Sequence, residues 1–383
     1  MTRSHIYLSS NWWDGLWIIQ QPIANEIARE EAVLYVEGFV SLFTALRYPS
    51  RWKRLFAWLR GARRVSPTLR LLAPLPLFHL GHRVPWVFRL EFAIQRWWIR
   101  WWARRDRAQV RVLWMDNPLY ESAVGRMGET LAVYHVADEI TAFPGTHPEI
   151  IAALEQKMLH KVNVVFAAAQ RLADDKRRWN PRTHTVWNAI DLKAFEREVP
   201  AEAVADVEAI PAPRVAFVGV LDRWVDLELL ALTAGRLPQV HFLLVGPSHV
   251  EHRALRALPN VHFLGRRDRF VVPAILKRCS ASLVPFRRIK LTERIVPLKI
   301  FEALAAGIVP VCTDFSVDLE TLERDGYAVV GRSAEAFIAG VERAVTGDTP
   351  ETRRRLSRFG QQQTWHARWG QMRAVLDEEP LSR

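Results

Sequence analysis

Short runs of β-branched and aromatic residues recur along this chain, each followed by a loop and then by a stretch of helical spacing. Residues 5–9 (HIYLS) open the series. A Trp-rich loop follows at 11–17, residues 22–30 have helical spacing, and 33–36 (VLYV) form the next apolar run. Strands separated by helices in this way pair in parallel, because a parallel pair needs a crossover long enough to hold a helix. Further runs at 110–114, 131–134, 162–167 and 183–187 continue the first series. A second series starts at Arg214, with runs at 215–219, 241–246, 261–264, 281–285, 309–312 and 328–330. Helical segments at 227–234, 273–278 and 297–306 lie between them, the last stopped by Gly307, a residue type that caps helix C-termini.

Two series mean two cores, which agrees with 383 residues, more than one ordinary core accommodates. The stretch 198–213 is rich in Pro, Ala and acid, lacks apolar periodicity and reads as a linker. The expected organisation is an α/β chain with two Rossmann-like doubly wound domains and an interdomain cleft. Residues 1–197 form the first domain and 214–350 the second. The helical region 351–383, with Trp365 and Trp369 one turn apart, packs back on the first.

Hydrophobic residues make up 49% and charged residues 25% of the chain, the values of a globular protein. Cys279 and Cys312 are too few for a disulfide framework, and no Cys/His cluster has zinc spacing. The N-terminus lacks the apolar core of a signal peptide, and no stretch is apolar for the roughly 20 residues a spanning helix needs. The expected location is cytoplasmic, peripheral at the inner face of the cell membrane.

The charge is local. Between Arg47 and Arg107 stand 15 Lys and Arg against only Glu91 and Asp106, leaving 38 basic against 39 acidic side chains elsewhere. On a helix over 86–107, Arg89, Arg96, Arg100, Arg104 and Arg107 share a stripe. Trp86, Leu90, Ile94, Trp97, Trp98 and Trp101 spread over the rest of its surface. Residues 51–60 repeat the pattern, with Trp52, Leu55, Phe56 and Leu59 on one face and Arg51, Lys53, Arg54 and Arg60 around it. Tryptophan is favoured at headgroup level, and each basic side chain near an anionic surface adds about 1 kcal/mol. An anionic membrane surface is the expected partner. Nucleic acid is the rival, since aromatic-interleaved basic patches also bind single strands, but no nucleic-acid-binding signature accompanies this one.

The most specific segment is 283–315, LVPFRRIKLTERIVPLKIFEALAAGIVPVCTDF. It reads strand, basic loop, helix, Gly, strand. The helix begins near Pro297, so its free N–H groups and positive dipole end face an anion, with Arg287, Arg288, Lys290 and Lys299 nearby. Glu302, one turn on, suits ribose hydroxyls. The chemistry points to a phosphorylated ligand of nucleotide type.

This segment resembles the donor-binding segment of GT-B glycosyltransferases, and is most similar to the bacterial teichuronic-acid and surface-polysaccharide group. The resemblance implies that Lys299, in PLKIFEALAAG, contacts the donor diphosphate and that Glu302 binds the ribose. Other stretches resemble the same family: SSNWWDGLWIIQQPIANEIA with VLYVEG, VYHVADEITAFPG at 133–145, VWNAIDLKAF at 186–195, VAFVGVLDRWVDLELL at 215–230, HFLLVGP at 241–247, and LPNVHFLGRRD at 258–268. His135 stands where the family usually has Asp, and Ala189 where it has Gly. Eight residues before Glu302, where many retaining members carry Glu, stands Arg294, with Glu293 one position away. Retention and inversion both stay open.

The resemblance implies a sugar moved from a nucleotide-sugar donor, UDP favoured, to a glycan or lipid-linked acceptor. No cofactor or metal is expected, because basic side chains and helix dipoles can hold the leaving diphosphate. An inverting route needs a base on the acceptor hydroxyl. Asp138 is the first candidate, followed by Glu139, Asp116 and His135. Gly15 could let the first domain's backbone approach the donor, and Gly219 and Arg223 could meet it from the second. The alternatives are a sugar-nucleotide epimerase on the same scaffold and a non-catalytic nucleotide-sugar or membrane-binding protein.

Overall fold

The computed structural model describes all residues except 1–2, 16, 18, 40–51, 77–84, 106–107, 144–145 and 380–383, together with the side chains of 85, 86, 88 and 89. Arg51 and Arg107, and the side chains of Trp86 and Arg89, therefore lie outside the described residues.

The chain divides into two compact units. The first comprises Met1–Ala168, Leu172–Val186 and Trp369–Arg383, the second Ala169–Arg171 and Trp187–Arg368. The first unit is built on β1 (Arg3–Leu8), β2 (Ala32–Val36), β3 (Ala62–Arg64), β4 (Leu69–Leu72), β5 (Val110–Met115), β6 (Leu131–Val136), β7 (Val164–Ala167) and β8 (Thr183–Thr185), in the order β3-β4-β2-β1-β5-β6-β7-β8. Only β3 runs antiparallel, against β4; every other pairing is parallel. The central strands β5, β6 and β7 are buried almost end to end, as expected of strands covered on both faces. Sequence pattern alone did not indicate β3 and β4. Arg63, Arg64 and Arg70 interrupt the apolar periodicity of this edge.

The second unit contains β9 (Arg214–Val218), β10 (His241–Val245), β11 (Val261–Gly265), β12 (Ala281–Val284), β13 (Val309–Thr313) and β14 (Val329–Gly331). All pair in parallel, in the order β11-β10-β9-β12-β13-β14. Counted from the unit's own first strand this is 3-2-1-4-5-6, the doubly wound dinucleotide-binding order. The helix Leu298–Ala305 crosses from β12 to β13, and Pro350–Gln362 lies on it so closely that a Cβ on Gly360 would fall 2.1 Å from the backbone nitrogen of Ala305.

Two expectations are corrected. Residues 198–213 are not a free linker but part of the second unit, which the chain joins at Trp187. Val204 and Val207 are fully buried, and two acids of this stretch are taken up by arginines: Arg278 pairs with Glu208 at 2.6 Å and Arg267 with Asp206. The region 351–383 does not go to the first unit as a whole. Pro350–Gln362 belongs to the second unit, whereas the last helix, Trp365–Glu378, passes to the first at Trp369. There the Trp369 ring lies 5.9 Å from His5 and 6.2 Å from Trp114.

Candidate functional site

In a doubly wound sheet, ligands bind beyond the C-terminal strand ends where the strand order reverses. In the second unit that point lies between β9 and β12. Strand β9 is followed at once by Gly219, whose φ of +141° disfavours any side chain. A Cβ there would come within 2.7 Å of Lys299 Nζ. Lys299 is the second residue of the Leu298–Ala305 helix. Its Nζ lies 4.5 Å from the ring centre of Phe217, in β9, and 4.7 Å from that of Phe286, just past β12. The helix starts at Pro297 without a side-chain cap, so its first N–H groups are open to an anion.

No hydrogen bond among the described residues reaches the Lys299 ammonium or the Glu302 carboxylate one turn on. Burial pushes Lys299 down to about 8, against the pull of Glu302, and pushes Glu302 up to about 7, against the pull of Lys299. Two half-buried, oppositely charged groups without bonded partners form an incomplete electrostatic arrangement, and an incoming ligand could complete it.

The remaining sequence candidates of this unit lie around that crevice with different degrees of freedom. Arg223 is exposed, and its guanidinium makes no hydrogen bond among the described residues. Arg287 is exposed and only loosely paired, 4.0 Å from Asp226 and 3.9 Å from Glu228. Arg288 is occupied, bonded to Glu293 at 3.1 Å and to Asp314 at 3.3 Å. Glu293, the near-match to the family's earlier glutamate, is thus tied up by that arginine. The aromatic walls Phe217 and Phe286 were not legible as site residues, because neighbouring strands bring them together across a long stretch of sequence.

At the equivalent reversal in the first unit, between β1 and β5, the protein fills the space with its own groups. Asp116, just past β5, accepts bonds from the Ser10 backbone N–H at 2.9 Å and from the hydroxyls of Ser10 at 3.1 Å and Ser9 at 3.2 Å. Tyr35 donates to Ser9 Oγ at 2.8 Å and Tyr120 to the Ser9 carbonyl at 2.7 Å. The loop continues as a locked turn in which Gly15 N–H donates to the Trp12 carbonyl at 3.0 Å, with Gly15 itself exposed. Asp116 is therefore a fastening of the β1 loop rather than a free base.

Strand β6 delivers the three other candidates to different surroundings. His135 is buried within the strand, its Nδ1 3.4 Å from the Tyr7 hydroxyl, and burial lowers it to about 4, so it is neutral. Glu139 is buried and accepts from the Thr141 hydroxyl. It lies 3.6 Å from Lys176, which also bonds Glu155 at 2.6 Å. Asp138 is different: half-buried, raised to about 6 by desolvation, and without a hydrogen-bond partner among the described residues. Of the three, only Asp138 combines partial access to solvent with an uncommitted carboxylate.

The basic Trp-rich segment forms the helix Pro85–Ala103. Its inner face buries Phe92, Gln95, Ile99 and Ala103, with Gln95 bonded to both the N–H and the carbonyl of Leu75. On the far side Leu90, Ile94, Trp97 and Trp101 form an outward stripe, exposed by 57, 44, 65 and 42%. Arg96 and Arg100 flank it, donating to the carbonyls of Ser122 and Arg126, and Arg104 follows, exposed, just past the helix end. Trp98 departs from the expected outward group. Its indole donates to the Ala73 carbonyl at 3.3 Å and its ring meets Trp58. Residues 52–60 add Trp52, Phe56 and Leu59, all exposed. Among the described residues no helix is long and apolar enough to cross a membrane, and no three His, Cys, Asp or Glu side chains group as metal ligands.

Comparison with known proteins agrees with this anatomy. Residues 212–346 match the family "Glycosyl transferases group 1". A putative teichuronic acid biosynthesis glycosyltransferase, TuaH of Bacillus subtilis (strain 168), is 24% identical over 234 residues, 58% of this chain and 59% of that protein's length. The chain thus aligns with less than two thirds of that relative. Among solved structures, sucrose-phosphate synthase from Thermosynechococcus elongatus superposes with a TM-score of 0.68 at 16% identity, covering 99% of both chains. HepE of Anabaena in complex with UDP gives 0.66 at 14%, covering 99% of this chain and all of that one. The E. coli trehalose-6-phosphate protein bound with UDP-2-fluoro glucose gives 0.70 at 12% over the full length of both.

Proposed function

Because residues 212–346 form a Glycosyl transferases group 1 domain and the chain has the GT-B fold, we propose that the protein transfers a sugar from a UDP-sugar to a membrane-associated acceptor in surface-polysaccharide synthesis. The second unit holds the donor. The observation that carries this is Lys299, set between Phe217 and Phe286 at the strand-order reversal with Glu302 one turn away and no bonded partner for either. Lys299 and the uncapped helix start receive the diphosphate, and Glu302 takes the ribose hydroxyls. UDP is favoured over GDP and dTDP because two of the three structural neighbours above were solved with UDP or a UDP-sugar.

The first unit holds the acceptor. As the acceptor oxygen bonds the anomeric carbon, the bond from that carbon to the diphosphate oxygen breaks. Asp138 takes the hydroxyl proton, and Lys299 with the helix N–H groups holds the charge that develops on the leaving diphosphate. This role for Asp138 corresponds to inversion. The outward stripe Leu90, Ile94, Trp97 and Trp101, flanked by arginines, docks the first unit on an anionic leaflet from the cytoplasmic side.

The test is thermal stability against UDP, GDP, dTDP and their sugar conjugates, repeated with Glu302→Ala. A ligand at about 100 times its Kd stabilises by about 2.7 kcal/mol, a visible shift. A shift with the uridine ligands alone, lost in the variant, is the expected result. No shift with any nucleotide would remove the donor assignment.

A further inference from the structure

Beside the arginine flank of the Pro85–Ala103 helix lies a concavity of about 320 Å³ that none of the roles above uses. Arg96, Glu121, Ser122, Arg126 and Lys161 line it. Its acid, Glu121, is already paired with Lys161. Arg96 spends one N–H on the Ser122 carbonyl at 3.2 Å and sits against Phe92; no carboxylate among the described residues meets its guanidinium or that of Arg126. Arg100 approaches from the helix to bond the Arg126 carbonyl at 3.2 Å, adding a further positive charge. Desolvation, with repulsion from Arg126 and Arg100 added to it, lowers Arg96. Ser122 also lines the recess; its hydroxyl is turned away from solvent and has no hydrogen-bond partner among the described residues, so it reaches a ligand there by changing rotamer.

Three basic side chains against one acid line the recess, and its two guanidiniums have no carboxylate among the described residues, so the recess has charge and hydrogen-bond donors left over for an anion. A tetrahedral phosphate fits that description, since it offers several acceptor oxygens to guanidinium, ammonium and hydroxyl donors at once. The recess lies on the arginine side of the helix that also carries the outward Trp97 and Trp101. We propose that Arg96, Arg126, Lys161 and Ser122 form a phosphate site on the first unit, separate from the nucleotide site, which takes the phosphate of a lipid headgroup. The site stands on its own geometry; only its assignment to a lipid rests on the membrane reading above.

Three variants separate a built site from diffuse attraction. Ser122→Ala removes the unsatisfied hydroxyl and leaves the net charge unchanged. Arg126→Ala removes a charge at the recess, and Arg104→Ala removes one just past the end of the same helix. Each is first checked for an unchanged thermal unfolding midpoint. Binding is then measured to vesicles of phosphatidylcholine with and without phosphatidic acid, and to glycerol 3-phosphate in solution.

Arg104→Ala should weaken vesicle binding about fivefold, the general effect of one basic side chain near an anionic surface. Arg126→Ala should weaken it about fiftyfold, because charge-assisted bonds are lost as well. Ser122→Ala should lose about fivefold with no change in charge. That pattern on vesicles supports the lipid assignment. If the wild type ignores vesicles but binds glycerol 3-phosphate, and Ser122→Ala and Arg126→Ala lose it, the phosphate site stands and the membrane reading fails. If Ser122→Ala matches the wild type with both probes and Arg126→Ala matches Arg104→Ala, the proposed site is overturned.

Discussion

The two sheets reverse their strand order at corresponding places and treat them in opposite ways. In the first unit the reversal between β1 and β5 is closed by the chain itself: Asp116 takes up the Ser9 and Ser10 donors, and Tyr35 and Tyr120 both fasten Ser9. In the second unit the reversal between β9 and β12 is left with a charged Lys299 between two rings and a carboxylate nearby, none of it hydrogen-bonded within the described residues. Topology thus provides two crevices, and side-chain satisfaction decides which one has room for a ligand. In the first, the uncommitted group lies one strand further along than Asp116, at Asp138 just past β6.

The sharpest way to break this contrast is Lys299→Met. If the second crevice is the donor seat, kcat/KM should fall by about 10³, the scale of losing a main donor to a developing charge. The unfolding midpoint should hold or rise, since a desolvated ammonium is removed. A drop in stability with activity retained would make Lys299 a structural group like Asp116.

Asp138→Asn should lower kcat by about 10² while leaving the nucleotide-induced thermal shift intact. In the wild type the base must be ionised, so the rate should rise as pH climbs through about 6, and Lys299 must stay charged, so it should fall above about 8. The acid limb should vanish in Asp138→Asn. Its persistence would assign that limb to another group.

Asp116→Ala sharpens the comparison from the other side. It strands the Ser10 N–H and two hydroxyls, and should cost about 2 kcal/mol in denaturant unfolding with nucleotide affinity unchanged. Weaker nucleotide binding would mean that the first crevice is not purely structural. The smallest expected effect is Gly219→Ala, where a Cβ would press on Lys299 Nζ and φ is unfavourable. Affinity for UDP should weaken about tenfold, or about 1.4 kcal/mol, by titration.

Most strands were readable because their apolar runs are uninterrupted; β3 and β4 were not, because arginines break the period. Lys299 and Glu302 were readable because one helix turn carries both, a local spacing. Their surroundings were not, since Phe217 comes from β9 and Phe286 from the loop after β12. Arg288 and Glu139 read as free charges in the sequence. The fold gives them Glu293 and Asp314, or Lys176, partners that no local window ranks above solvent. The acidic 198–213 stretch misled for the same reason, two of its charges being answered by Arg267 and Arg278 of the second unit.

The chain leaves the first unit at Val186 and returns to it only at Trp369, on the last helix. Trp369, Met372 and Leu376 are buried, and Arg3 bonds Asp377 at 2.5 Å. On the ribosome this imposes an order. The second unit is contiguous apart from a few residues and can complete its core while synthesis continues. The first must wait, with His5 and Trp114 uncovered, until the final helix emerges. A nascent chain exposed as far as Arg368, with the rest of the last helix still inside the ribosome, would therefore carry a finished second unit and an unfinished first one, a natural substrate for a chaperone.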